Sequence, residues 1–231
     1  MGIVLNLETS STNCSVSVAK NGEILAMKEL NSVNYSHAEK LHVFIEEVMQ
    51  EASLKMEDLE AVAVSKGPGS YTGLRIGVSA AKGLCYALGI PLISISTLKS
   101  MASQVKAKQD EVLIPVLDAR RMEVYSSVFD AALNEVRETK AEIIDERSFQ
   151  EYINTKHIHF IGSGAEKIKE VFPLKSITYH CEIVPSAKEM AAISSDKFNA
   201  SDFEDVAYFE PYYLKDFVLQ TKKTKPKSNL G

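Results

Sequence analysis

Residues 61–89 constrain this chain more than any other stretch. An apolar strand, Ala61 to Ser65, runs into the turn Lys66-Gly67-Pro68-Gly69-Ser70, which opens directly onto a helix carrying Gly73, Gly77, Ala81 and Gly83. Strand, glycine turn and helix in immediate succession belong to α/β architecture, with the turn at the carboxyl end of the strand. Gly67 and Gly69 admit backbone conformations closed to residues with a Cβ, Pro68 fixes one φ, and the first helical amides are donors suited to an anion. The spacing matches neither the lysine-containing nucleotide-triphosphate loop nor the dinucleotide fingerprint. An anion loop and plain internal packing both stay open.

The helix adds a second constraint. Gly73, Gly77 and Ala81 recur every four residues, and Ser79 and Gly83 form another such row, so the helix has two flat faces. Glycine inside an exposed helix costs about 1 kcal/mol relative to alanine, which points to backbones packed unusually close. One face can lie on a sheet and the other can accept a second helix, from this chain or from another.

The surrounding pattern reads as βββαβαβ. Ile3 to Leu7 is apolar, and Cys14 to Ala19 alternates as a half-buried strand. Asn21-Gly22 marks a hairpin into Ile24 to Leu30. Ser36-x-x-Glu39 forms a capping box ahead of Leu41, Phe44, Ile45, Val48 and Met49 at helical spacing. Strand Ala61 to Ser65, the small-residue helix ending at Gly89 and strand Ile90 to Ile95 complete the first half. After the polar run Lys106 to Glu111, the segments Val112 to Leu117, Glu123 to Phe129 and Val136 to Ile144 repeat the opening strands. A second glycine turn, Gly162-Ser163-Gly164, separates strand Ile158 to Ile161 from helix Ala165 to Val171, and Ser186 caps a helix from Ala187 to Ile193. The second half reads as a smaller, worn copy of the first, dividing the chain into lobes 1–104 and 105–231.

Composition bounds the function. The 231 residues are 45% hydrophobic and 25% charged, sufficient for two packed lobes. No stretch reaches the length of a membrane span, and the apolar start Ile3-Val4-Leu5 lacks the basic region of a signal peptide, which predicts a cytoplasmic protein. Cys14, Cys85 and Cys181 are too few and too scattered for a disulfide framework or a zinc motif. A net charge of -5 argues against a protein that grips nucleic acid by itself. A polar, basic tail begins near residue 221 and fits a solvated terminus.

The motifs resemble one family closely. Gly67-Pro68-Gly69-Ser70-Tyr71-Thr72-Gly73-Leu74-Arg75-Ile76-Gly77 followed by Ala80-Ala81-Lys82-Gly83-Leu84 is similar to the signature of the TsaB (YeaZ) family of bacterial tRNA threonylcarbamoyladenosine biosynthesis proteins. Glu8-Thr9-Ser10, His37, Ile95-Ser96-Thr97-Leu98, Asp118-Ala119-Arg120, Glu123-Val124-Tyr125 and Glu210-Pro211-Tyr212-Tyr213-Leu214 extend the likeness over nearly the whole chain. The resemblance implies an α/β, actin-like (ribonuclease H-like) duplicated fold of two lobes, each a mixed sheet flanked by helices. It also implies a non-catalytic subunit that supports a catalytic TsaD-type paralogue. The expected partners are that paralogue, a TsaE-type small P-loop ATPase and a second copy of this chain, with tRNA reached indirectly through the complex and no membrane.

By the same resemblance, the partner contact draws on two helices of the first lobe: His37, Leu41, Phe44, Ile45 and Val48 from one, and Arg75, Ile76, Ser79, Ala80 and Gly83 from the other. The paralogue carries two metal-binding histidines in a His-x-x-x-His segment; the matching residues here are Thr97 and Met101, so no metal is expected there. Glu8, Thr9, Ser10, Gly67, Pro68, Gly69, Ser70 and Gly73 form a vestigial anion or nucleotide loop. No cofactor is expected, with ATP or ADP entering only at a complex interface. The alternative is an active actin-like ATPase or phosphotransferase using the Gly67 loop.

Other residues carry weaker signals. His37 and His42, five apart on a helix, point about 140° apart and do not suit one ion. His157 and His159 share one strand face, as a pair or as a polar strand edge. Arg75, in a first helical turn where the dipole disfavours a cation, calls for a partner, either a carboxylate or an anionic ligand.

Overall fold

The computed structural model describes residues 2–32 and 37–214; the Ser36 cap and the basic tail lie outside them. Two five-stranded mixed sheets are built from the same plan. In the first, β1 (Ile3–Glu8) pairs antiparallel with β2 (Asn13–Lys20), which pairs with β3 (Glu23–Asn31), while β4 (Ala61–Gly67) and β5 (Leu92–Ser96) add in parallel, giving the order β3-β2-β1-β4-β5. In the second, β6 (Val112–Asp118), β7 (Glu123–Asp130), β8 (Glu135–Ile143), β9 (Ile158–Ile161) and β10 (Ile177–His180) repeat it as β10-β9-β6-β7-β8. This is the duplicated, actin-like α/β fold. The hairpin signal at Asn21-Gly22 holds, both residues having positive φ as a two-residue turn of this hand requires.

The helices show where the copy is worn. The first lobe has α1 (His37–Glu51) and α2 (Tyr71–Leu88, ended by Gly89 in the left-handed region) on one face of its sheet. Their counterparts in the second lobe are α4 (Gln150–Ile153) and α5 (Ala165–Val171), of four and seven residues against fifteen and eighteen. Leu5, Leu7, Cys14, Val16 and Val18 meet Leu41, Ile45, Val48, Val78 and Ala81 in the largest core.

The last helix of each half crosses to the other. α3 (Thr97–Ala102) packs on β6 and β7, burying Leu98, Met101 and Ala102 against Leu113, Leu117 and Phe129. α6 (Ala187–Asn199) packs on the opposite face of the first sheet, where Ala187 and Met190 meet Val4, Ala61, Ala63, Ile93 and Ile95. Beyond it, the Glu204 amide donates to the Leu92 carbonyl and the Tyr212 amide to the Lys66 carbonyl. The linear division at residue 104 is corrected accordingly: 187–199 and the segment after it cover the first lobe, because that sheet has a second apolar face and no helix of its own to close it.

β2 is therefore buried on both faces. Ser15 and Ser17, which alternation assigns to solvent, are fully buried and receive the start of α6: the Ala187 amide donates to the Ser15 hydroxyl at 3.1 Å, and the Ser17 hydroxyl donates to the Ala187 carbonyl at 2.8 Å. α3, α4 and β10 fall outside the predicted elements, each too short to carry a periodic signal. Among the described residues no helix is long and apolar enough to cross a membrane.

Candidate functional site

The glycine turn and the β1–β2 turn are pressed together. Gly67 has a φ of +107°, which excludes a side chain without strain. A Cβ on Gly69 would lie 2.3 Å from the Ser10 carbonyl oxygen, one on Gly73 2.0 Å from that of Thr9, and one on Gly77 2.3 Å from the Thr9 hydroxyl. The inward row of α2 is small because the Thr9-Ser10 backbone lies against it, and the Thr9 hydroxyl donates to the Gly73 carbonyl at 2.7 Å.

That packing fills the predicted anion loop with the chain itself. The Ser70 amide donates to the Ser10 carbonyl at 2.6 Å, and the Ser70 hydroxyl caps the helix by accepting from the Gly73 amide. Tyr212 is tied to Lys66, and the Tyr213 ring lies 5.0 Å from that of Tyr71. With Pro68, Leu74 and Tyr125 they enclose a cavity of about 40 Å³. Small-molecule sites run to roughly 300–1,000 Å³, so this space is far smaller than such a site. A groove of about 840 Å³ lies elsewhere, along α6, lined by Lys66, Ser96, Lys99, Lys188, Glu189 and Asp196; Glu8, Thr9, Ser10, Gly67, Pro68, Gly69, Ser70 and Gly73 are not part of it.

Glu8 ends β1 with its side chain sealed. One oxygen accepts from the Ser10 amide at 2.6 Å and the Ser65 hydroxyl at 3.0 Å, while the other is buried without a hydrogen-bond partner among the described residues. Burial pushes its carboxyl above the usual range, outweighing those hydrogen bonds. Burial, with Glu8 nearby, pushes the Cys14 thiol up to about 11, which leaves it a poor nucleophile.

Positions 97 and 101 do not fit a metal. Thr97 and Met101 are fully buried on α3, and Met101 belongs to the apolar cluster with Leu113 and Phe129. A protonated hydroxyl and a thioether in an apolar setting make no site for a borderline divalent ion.

The predicted partner contact divides in two. His37, Leu41, Ile45 and Val48 are turned into the chain's own core, each 2% exposed or less, so their assignment to a partner is corrected: the apolar stripe of α1 covers β2 and β3. His37 is held below the usual imidazole range by burial, its Nε2 donating to the Ser11 carbonyl at 2.8 Å. Phe44, Ile76 and Ala80 are half-buried at the edge of that core. Arg75, Ser79 and Gly83 face outward on α2, and a Cβ on Gly83 would meet nothing within 4 Å among the described residues. Val43 on α1 and Tyr86 on α2, the latter 86% exposed, are apolar or aromatic groups open to solvent that the spacing of small residues did not single out. Arg75 stacks over Tyr71 and donates to its hydroxyl at 3.1 Å, an aromatic partner in place of the expected carboxylate or anion.

Comparison with known proteins agrees with this architecture. The family described as "TsaD: tRNA N6-adenosine threonylcarbamoyltransferase" matches residues 31–224. The chain is 27% identical to the tRNA threonylcarbamoyladenosine biosynthesis protein TsaB of Escherichia coli K12, covering 95% of this chain and 97% of that one. It is 29% identical to the TsaB of Haemophilus influenzae, covering 95% and 96%. The solved YeaZ from Pseudomonas aeruginosa superposes with a TM-score of 0.80 at 23% identity, covering 93% of this chain and all of that one.

Proposed function

This chain belongs to the TsaD family, on the branch of its TsaB relatives, and from that premise we propose that it is a non-catalytic subunit in the biosynthesis of tRNA threonylcarbamoyladenosine. It binds a catalytic TsaD-type paralogue and supports that enzyme's activity, working with a TsaE-type ATPase and reaching tRNA through the complex in the cytoplasm. The self-packed loop, the sealed Glu8 carboxyl and the residues at 97 and 101 all support an accessory rather than a catalytic role.

The carrying observation is the outer face of α2. Ser79 and Gly83 leave its backbone bare beside an exposed Tyr86, and α1 carries an exposed Val43. Two such faces brought together bury tyrosine and aliphatic groups against glycine-lined backbone, with either the paralogue or a second copy as partner. Gly83→Arg tests this without disturbing the fold, since the new side chain starts in open space. Light scattering of the variant mixed with a TsaD-type paralogue should show at least a tenfold loss of complex, and threonylcarbamoyl transfer to tRNA by the mixture should fall with it. Complex formation at the wild-type level, or transfer by this chain alone, would overturn the reading.

A further inference from the structure

Three of the chain's five histidines meet at one edge of the second sheet, in the lobe away from the partner face. His157 and His159 flank the start of β9 on one face, with ring centroids 5.0 Å apart. Parallel pairing of β6 with β9 sets Val112 beside Ile158, and the Val112 amide donates to the His157 carbonyl, which brings Glu111 against both rings. One ligand atom each from Glu111, His157 and His159 lies within 4.8 Å of the others. Glu111 Oε2 and His159 Nε2 are 3.1 Å apart, and these side chains are only 13% and 11% exposed.

We propose that Glu111, His157 and His159 form a binding site for a divalent transition-metal ion of the zinc class. Two imidazoles and a carboxylate are the donor set that zinc and its neighbours take, and a 3.1 Å gap between donors suits two ligands about 2.1 Å from one ion at an angle of about 95°. The outer atoms are already arranged as a metal site requires. His159 Nδ1 lies 3.1 Å from His180 Nε2, and His157 Nε2 lies 2.9 Å from the Thr178 hydroxyl, so with ligation through His159 Nε2 and His157 Nδ1 β10 supplies a partner for the second nitrogen of each ring. The Lys108 amide donates to Glu111 Oε2 at 2.8 Å and fixes the carboxylate in place. Three protein donors leave a position for water, and the ion ties the connection between the lobes to β9. The expectation that this chain holds no metal is revised at this cluster alone.

The test is calorimetric titration of the untagged, chelator-treated full chain with zinc chloride at neutral pH, with cobalt(II) as an optical probe. One ion per chain is expected, with the intense visible absorption of low-coordinate cobalt. Glu111→Gln and His157→Gln should each weaken binding at least tenfold, and the His157→Gln, His159→Gln double variant should abolish it, while His42→Gln, a histidine exposed on α1, binds as wild type. Circular dichroism of the metal-free proteins shows that each variant is folded. No saturable uptake, or uptake unchanged in the double variant, overturns the site and leaves the partner reading untouched.

Discussion

At the scale of single residues, the same amino acid has opposite consequences on the two sides of α2. Gly77 faces the Thr9 hydroxyl at a distance no real Cβ tolerates, whereas Gly83 faces open space. Gly77→Ala should therefore destabilise the protein by about 2 kcal/mol or more through overpacking. Gly83→Ala should stabilise it by about 1 kcal/mol through helix propensity. Urea denaturation of the two variants reads both signs, and a loss at Gly83 would mean that its face is covered. Glu8 offers a pH-dependent counterpart. Because its carboxyl is raised in the fold, the stability it lends is complete below the ordinary value of 4.5 and is lost as pH climbs through the raised one. Glu8→Gln stays neutral throughout, so its stability relative to wild type should increase as pH rises above 4.5 towards the raised value. A difference that stays constant across that range would contradict the assignment.

At the scale of elements, legibility followed length and periodicity. The hairpin at Asn21-Gly22, the Gly89 stop of α2, and the strand-turn-helix at Gly67 were readable because each depends on local chemistry. Which face of α2 was which was not readable, since small residues line both and only the position of Thr9 distinguishes them. α1 misled in the other direction: its apolar stripe, assigned to a partner, is the part its own sheet needs most. Ser15 and Ser17 resemble a solvent face because serine is polar, yet they are the polar seat of a helix 170 residues away. Glu111 escaped notice beside His157 and His159 for a similar reason. Its register is set by a parallel pairing across 48 residues, and one strand holding the outer nitrogens, β10, is only four residues long.

At the scale of the whole molecule, the exchange of α3 and α6 makes the lobes interdependent. Residues 1–104 alone carry a sheet whose Val4, Ala61, Ala63, Ile93 and Ile95 face has lost its cover, and an α3 whose Leu98 and Met101 have lost their sheet. That fragment should aggregate or bind a hydrophobic dye, and joining residues 185–214 to it through a flexible linker should restore solubility and a cooperative melt. A monomeric 1–104 fragment with well-dispersed amide resonances would show that α6 is dispensable.

The crossing of α6 also sets a schedule for synthesis. β5 is complete at Ser96, but the helix that shields the sheet ends at Asn199, about a hundred residues later. At ordinary elongation rates this is a delay of roughly 5–20 s on the ribosome. Throughout it the nascent sheet presents a bare aliphatic surface, which makes this chain a natural client for chaperones that hold emerging polypeptides.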